Sequence, residues 1–163
     1  TPINSIQISP DSDWKVRHLN LFRENYKNAP HFTDLLPYLE TLYEYSGDSL
    51  SQFNQLSIKM LMDLLDIKIE TQQSSKMNPQ GKSNDLLVDL LKKAGADQYL
   101  SGVGARDYFD STPFDDAQIE VIWQDFTHPL YPQQFGEFIP YLSSIDLLFN
   151  CGIEESRKIL RNL

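Results

Sequence analysis

His128 stands three residues before Tyr131 in the run His128-Pro129-Leu130-Tyr131-Pro132-Gln133-Gln134. An imidazole beside a phenol is a pair that can hold or pass a proton near neutral pH. No Ser or Asp partner for a nucleophilic triad is readable from chain order, and a rigid turn bounded by prolines accounts for the same residues. A second polar stretch, Ser74, Ser75, Lys76, Gly81, Lys82 and Ser83, leads into an apolar-periodic segment. Its hydroxyls, ammonium groups and backbone N–H donors suit a phosphate, although the Gly-x-x-x-x-Gly-Lys spacing is absent and a polar surface loop capping a helix reads the same way. The third stretch is Ser101-Gly102-Val103-Gly104-Ala105-Arg106-Asp107-Tyr108. Its glycines permit close backbone approach and Arg106 offers a planar fork for phosphate or carboxylate. The third glycine of the dinucleotide fingerprint is missing, and Arg106 with Asp107 reads equally as a solvated pair. The expected catalytic residues are therefore His128 and Tyr131. The expected ligand-binding or anion-binding residues are Ser74, Ser75, Lys82, Ser101, Gly102, Gly104 and Arg106.

Three histidines, at 18, 31 and 128, and the single Cys151 supply no ligand spacing, so no metal is expected, and nothing in the pattern implies a cofactor. Asp146 falls inside an apolar helical pattern, where burial would demand a hydrogen-bond partner; the Ser143 or Ser144 end of the same helix is the expected source. Fourteen Lys and Arg against 23 Asp and Glu leave a net charge of −9 over 163 residues, which repels a phosphate backbone and argues against nucleic acid as a partner. One cysteine cannot form an internal bridge, so a reducing compartment, the cytoplasm, is the expected location. No apolar run reaches the roughly 18 to 20 residues a membrane span requires. The length suits one domain, residues 1–163. The opening Thr1-Pro2 carries no initiator Met, which leads to the expectation that an upstream segment is lacking.

These residues need positioning elements. Ile6 and Ile8, ahead of Pro10, predict a short opening strand. Leu19, Phe22 and Tyr26 recur at helical spacing, as do Phe32, Leu35, Leu36, Leu39, Leu42 and Tyr43, with Pro37 placed in the first turn of that second helix. Ser49 and Gln52 form a Ser-x-x-Gln capping box before a third helix over about 50 to 65. Ile67 to Thr71 alternates as a strand would. Leu86, Leu87, Leu90, Leu91 and Ala94 predict a helix stopped by Gly95, Tyr99-Leu100 a strand, Pro113 the start of a short helix, and Ile119 to Trp123 a further strand. Ser143 or Ser144 caps a helix that ends at Gly152, and Glu154 to Leu163 forms the last. Strand, helix, strand, helix, strand is the pattern of a parallel sheet. The expected fold is α/β, a helical N-terminal half packed on a small Rossmann-like parallel sheet in the C-terminal half. Strands ending near 71, 100 and 124 would then bring Ser74 or Ser75, Gly102 to Arg106, and His128 to one sheet edge.

Three stretches taken together, Tyr99-Leu-Ser-Gly-Val-Gly-Ala-Arg-Asp-Tyr108, His128-Pro-Leu-Tyr-Pro-Gln-Gln134 and Phe138-Ile-Pro-Tyr-Leu-Ser-Ser-Ile-Asp-Leu-Leu-Phe-Asn150, resemble the WbqC-like protein family in order and spacing. The likeness continues upstream through Trp14, His18, Tyr26, Pro30 and Phe32. It implies bacterial origin and association with surface-polysaccharide, O-antigen-type gene clusters. Family members look longer, with a Gln-Pro near the start and an Arg-Asn-Arg further on that this chain does not contain. No catalytic residue is carried over from the resemblance. The expected function is group transfer on a phosphorylated or nucleotide-linked sugar, Arg106 and Lys82 holding the anion. The alternative is a non-catalytic assembly module that uses the apolar residues from Tyr131 to Phe149, through which the chain could also oligomerise.

Overall fold

The computed structural model describes residues 2–10 and 13–162. Its contacts divide the chain into two compact units, Thr1–Ile69 with His128–Leu163, and Glu70–Thr127. The protein is α/β: six α-helices and one two-stranded parallel sheet among the described residues.

The first unit is helical because its apolar residues repeat at helical spacing. In α1 (Trp14–Tyr26), Leu19, Phe22 and Tyr26 face inward; α2 (Phe32–Tyr43) buries Leu35 and Leu39. Helix α3 (Leu50–Leu65) opens at the expected cap, Ser49 Oγ accepting from the Gln52 N–H at 3.3 Å, and buries Leu64 and Leu65. The Gln52 side chain does not close the box; it accepts from Tyr45 Oη at 3.0 Å. The long helix at the C-terminal end, Ser144–Arg161, is kinked at Gly152, where φ is 73° and ψ 174°. Leu148 and Phe149 from its first half join Ala29, Leu35, Leu39, Leu64 and Leu65 in one core. Each leucine or phenylalanine among them contributes about 1.5 to 3 kcal/mol when fully buried. Phe149 anchors the aromatic part: Tyr26 stacks on it at 4.7 Å and Phe32 tilts against it at 5.6 Å.

The second unit is built on helix α4 (Ser83–Ala94), ended by Gly95 in the left-handed conformation, strand β1 (Gln98–Ser101), helix α5 (Thr112–Asp116) and strand β2 (Glu120–Trp123). The helix of residues Ser144–Arg161 is hereafter α6. The strands pair in parallel with Gln98 opposite Glu120 and Ser101 opposite Trp123. Val88, Phe114 and Ile119 form the core of this unit, with Tyr99 stacked on Phe114 at 5.5 Å.

Three expectations are corrected. Ile67 to Thr71 forms no strand, and Ile69 is left exposed; alternation describes a face, but a strand also needs a hydrogen-bonding neighbour, and none lies beside it among the described residues. The opening strand reduces to a 3-10 turn over Ile3–Ser5 and one antiparallel bridge, Gln7 to Ser49. Pro37 is the sixth residue of α2, not a first-turn residue, so the bond its N–H would have made to the Thr33 carbonyl is lost; Thr33 is exposed, where water can serve that carbonyl. Leu163, expected on the apolar face of the last helix, lies outside the described residues. Among the described residues no helix is long and apolar enough to cross a membrane.

Candidate functional site

Asp146 sits in the first turn of α6, behind Ser143, whose Oγ accepts from the Ile145 N–H at 3.3 Å. A carboxylate is favoured there by the unpaired N–H groups and dipole of the helix start. The core-facing register of α6 puts Asp146 inside, 5% exposed, between Ile145 and the buried Leu147. Three side chains meet it. Tyr26 from α1 donates to Oδ1 at 2.9 Å; Tyr131 donates to Oδ2 at 3.0 Å, and Gln133 Nε2 to Oδ2 at 3.1 Å. The same Gln133 amide clamps Ile139 from both ends, donating to its carbonyl at 3.0 Å and accepting from its N–H at 2.9 Å. This holds the 133–139 loop against the helix.

The phenols respond to this setting. Burial, then the bond to Asp146, pushes the Tyr26 phenol well above its ordinary range. Burial likewise pushes Tyr131 up to about 12; Asp146 adds to the rise and the Gln133 bond opposes it. Both groups therefore stay protonated donors at neutral pH, which fixes the direction of the two bonds to Asp146. Burial, with Glu155 and Asp146 adding, raises the Cys151 thiol and disfavours the thiolate a nucleophile requires.

Above this cluster opens a concavity of about 330 Å³ lined by Leu21, Phe22, Asn25, Tyr26, Gln133, Gln134, Phe135, Ile139, Leu142 and Asp146. The volume falls in the range that small-molecule sites occupy, and rings beside a few convergent polar groups match their usual lining. A larger trough of about 720 Å³, between α2, α3 and α6, is mainly apolar. Its charges pair off, Lys59 with Asp63 at 3.0 Å and Arg157 with Glu154 at 2.8 Å. It offers volume without orienting chemistry, so the smaller concavity is the stronger candidate.

His128 belongs to the same unit. Its ring lies 6.2 Å from that of Tyr131, 5.6 Å from Phe138 and 5.3 Å from Tyr141. Its Nδ1 meets the Pro129 carbonyl at 2.8 Å; a carbonyl only accepts, so Nδ1 carries the proton in that bond. The two expected catalytic side chains are thus neighbours, with the Tyr131 hydroxyl directed to Asp146. Tyr141 holds φ at 62°, a sparsely populated conformation for a residue with a side chain.

The expected anion-binding residues fall in the other unit. Ser101 ends β1 and is buried; the exposed Gly102 follows it in extended conformation, and Gly104 and Arg106 lie exposed in the 3-10 segment Val103–Tyr108. Arg106 places its guanidinium 5.2 Å over the Trp123 ring, a cation on an aromatic face. Ser74 and Ser75 lie exposed in a 3-10 turn, Ser74–Lys76, and Lys82 precedes α4. Because no strand precedes Ser74, it is not delivered to the sheet edge as expected. The parallel pairing of β1 and β2 does direct Gly102 onward and Gln124 onward from one edge.

Asp146 and Tyr26 were not among the expected site residues. The partners of Asp146 are Tyr26, Tyr131 and Gln133 rather than the Ser143 or Ser144 hydroxyls. An acid on the apolar face of a helix was the available signal, because burial obliges it to find donors.

The WbqC-like protein family model matches residues 1–158. A Mycobacterium tuberculosis protein, described as uncharacterized protein Rv1507c, is 32% identical over 145 residues. The match covers 88% of this chain and 63% of that relative's length. No solved structure matches the chain.

Proposed function

This chain belongs to the WbqC-like protein family, and we propose that it forms the sugar-holding part of a cytoplasmic group-transfer enzyme acting on a phosphorylated or nucleotide-linked sugar in bacterial surface-polysaccharide synthesis. The observation that carries the reading is the concavity floored by Asp146, Tyr26 and Gln133 and flanked by Phe22 and Phe135. A sugar ring presents polar hydroxyls at its edge and C–H groups on its faces, so it is held by carboxylates and amides together with aromatic surface. Transfer to or from such a ring is helped most by fixed orientation, which a carboxylate held in place by two phenols and an amide supplies without reorganising. His128, beside Tyr131, is assigned the proton in this scheme. Arg106, Lys82, Ser74, Ser75 and the Ser101, Gly102 and Gly104 segment are assigned to an anion, on the strength of charge and exposed donors.

Calorimetry of the protein against uridine and thymidine diphosphate sugars tests this. Binding at millimolar concentration or tighter, weakened about tenfold in Gln133→Ala under conditions where that variant remains folded, is the expected result. No binding of any sugar at millimolar concentration by the folded protein would sink the reading.

One observation favours an assembly module instead. Leu130 is 80% exposed, Tyr141 79%, Phe135 66% and Ile139 56%, apolar surface concentrated in one segment. Sedimentation velocity over a hundredfold concentration range decides whether this segment pairs copies of the chain. A concentration-dependent rise in mass that Leu130→Asp abolishes supports the module.

A further inference from the structure

We propose that the 330 Å³ concavity selects a ligand group that donates hydrogen bonds, an amino or hydroxyl group of a sugar, and rejects an anionic one. The inference rests on the sugar-holding reading and specifies which end of the ligand enters. Most donors in and beside the lining are already engaged. The phenols of Tyr26 and Tyr131 are committed to Asp146, and both hydrogens of the Gln133 amide go to Asp146 and the Ile139 carbonyl. The Gln134 amide gives one hydrogen to the Asn25 carbonyl at 3.3 Å and the Asn25 amide gives one to the Leu21 carbonyl at 2.8 Å, which leaves each a single neutral N–H.

Acceptors remain. Asp146 Oδ1 receives one hydrogen bond, from Tyr26, and a carboxylate oxygen has room for two. Gln134 Oε1 is buried with no hydrogen-bond partner among the described residues, a state costly enough that native proteins seldom leave it unrelieved. The lining contains no Lys, Arg or His, so its only formal charge is the Asp146 carboxylate. An amine offers donors to these acceptors and a charge opposite to that of Asp146, a neutral hydroxyl offers a donor alone, and a phosphoryl or carboxylate group meets a like charge with no cation in the lining to offset it. The phosphate of a sugar donor therefore lies outside this concavity.

Three forms of one ring test the inference: glucosamine, glucose and glucuronate, titrated while the side-chain amide signals of Gln133 and Gln134 are followed by nitrogen-15 NMR. Glucosamine is expected to bind at least as tightly as glucose and at least tenfold tighter than glucuronate. Asp146→Asn should collapse that difference to within about threefold. Gln134→Leu, which leaves the carboxylate network in place, should weaken glucosamine severalfold without moving the melting temperature. Glucuronate bound as tightly as glucosamine, with the same amide signals shifting, would overturn the donor selectivity while leaving a sugar site standing. No shift of either amide with any of the three sugars would remove both the selectivity and the sugar-holding reading.

Discussion

Tyr26 and Asp146 are 120 residues apart in the chain and 2.9 Å apart in the fold. That bond closes the first unit on itself, since α1 and α6 come from opposite ends of the sequence. Asp146→Ala leaves two phenols and an amide without their acceptor and is expected to cost about 3 kcal/mol. Tyr26→Phe alone should cost about 1 kcal/mol, because a buried carboxylate with two remaining donors is less exposed to penalty. Urea unfolding of both single variants and the double variant checks this; a double-variant loss equal to the sum would mean the groups do not act together.

Tyr131 titrates at about 12 in the fold against an ordinary value of 10.0. A phenol whose folded pKa is raised contributes stability that is complete below pH 10 and is lost as pH climbs toward 12, because the unfolded chain releases the proton first. The stability gap between the wild type and Tyr131→Phe should therefore be constant up to about pH 10 and narrow above it. Urea midpoints at pH 8, 10 and 11.5 give the measurement. A gap that widens with pH would reverse the assignment.

Gly152 kinks α6 with φ at 73°, and a Cβ placed there would stand 2.7 Å from His31 Cε1. The backbone term alone costs about 1 to 3 kcal/mol for a residue with a side chain. Gly152→Ala should lose at least that much by thermal unfolding, and adding His31→Ala should recover only the steric part. Full recovery would show that the backbone conformation carries no cost.

Ser156 is completely buried and its Oγ donates to the Gly152 carbonyl at 2.5 Å. Ser156→Ala removes the donor and should destabilise by about 1 kcal/mol, whereas Ser156→Val adds volume to a filled site and should cost about 1 to 3 kcal/mol. Denaturant midpoints of the two variants in reverse order would contradict this packing.

Arg106 covers Trp123 at 5.2 Å. Arg106→Ala should shift the emission of Trp123 to longer wavelength, read in a Trp14→Phe background, and cost about 0.5 to 1 kcal/mol in the second unit. Unchanged emission would place the guanidinium elsewhere.

Much of the local structure was written in the residues themselves. Helical spacing of Leu19, Phe22 and Tyr26, the Ser49 cap and the Gly95 stop depend on neighbours within a turn or two, so they are legible one residue after another. The parallel strands at Tyr99 and Val121 were legible because β-branched and aromatic residues flank a helical connection. Ile67 to Thr71 has the same alternation and no strand, because pairing depends on a neighbour that local sequence does not specify. The site divides along the same line. His128 and Tyr131 could be named as a pair from three residues of spacing, and Asp146 marked itself as an acid on an apolar face. That its donors would be Tyr26, Tyr131 and Gln133 was decided only when α1, α6 and the 131–139 segment packed together, because a buried carboxylate takes whatever donors tertiary packing brings within hydrogen-bond reach, and chain order carries no record of that distance.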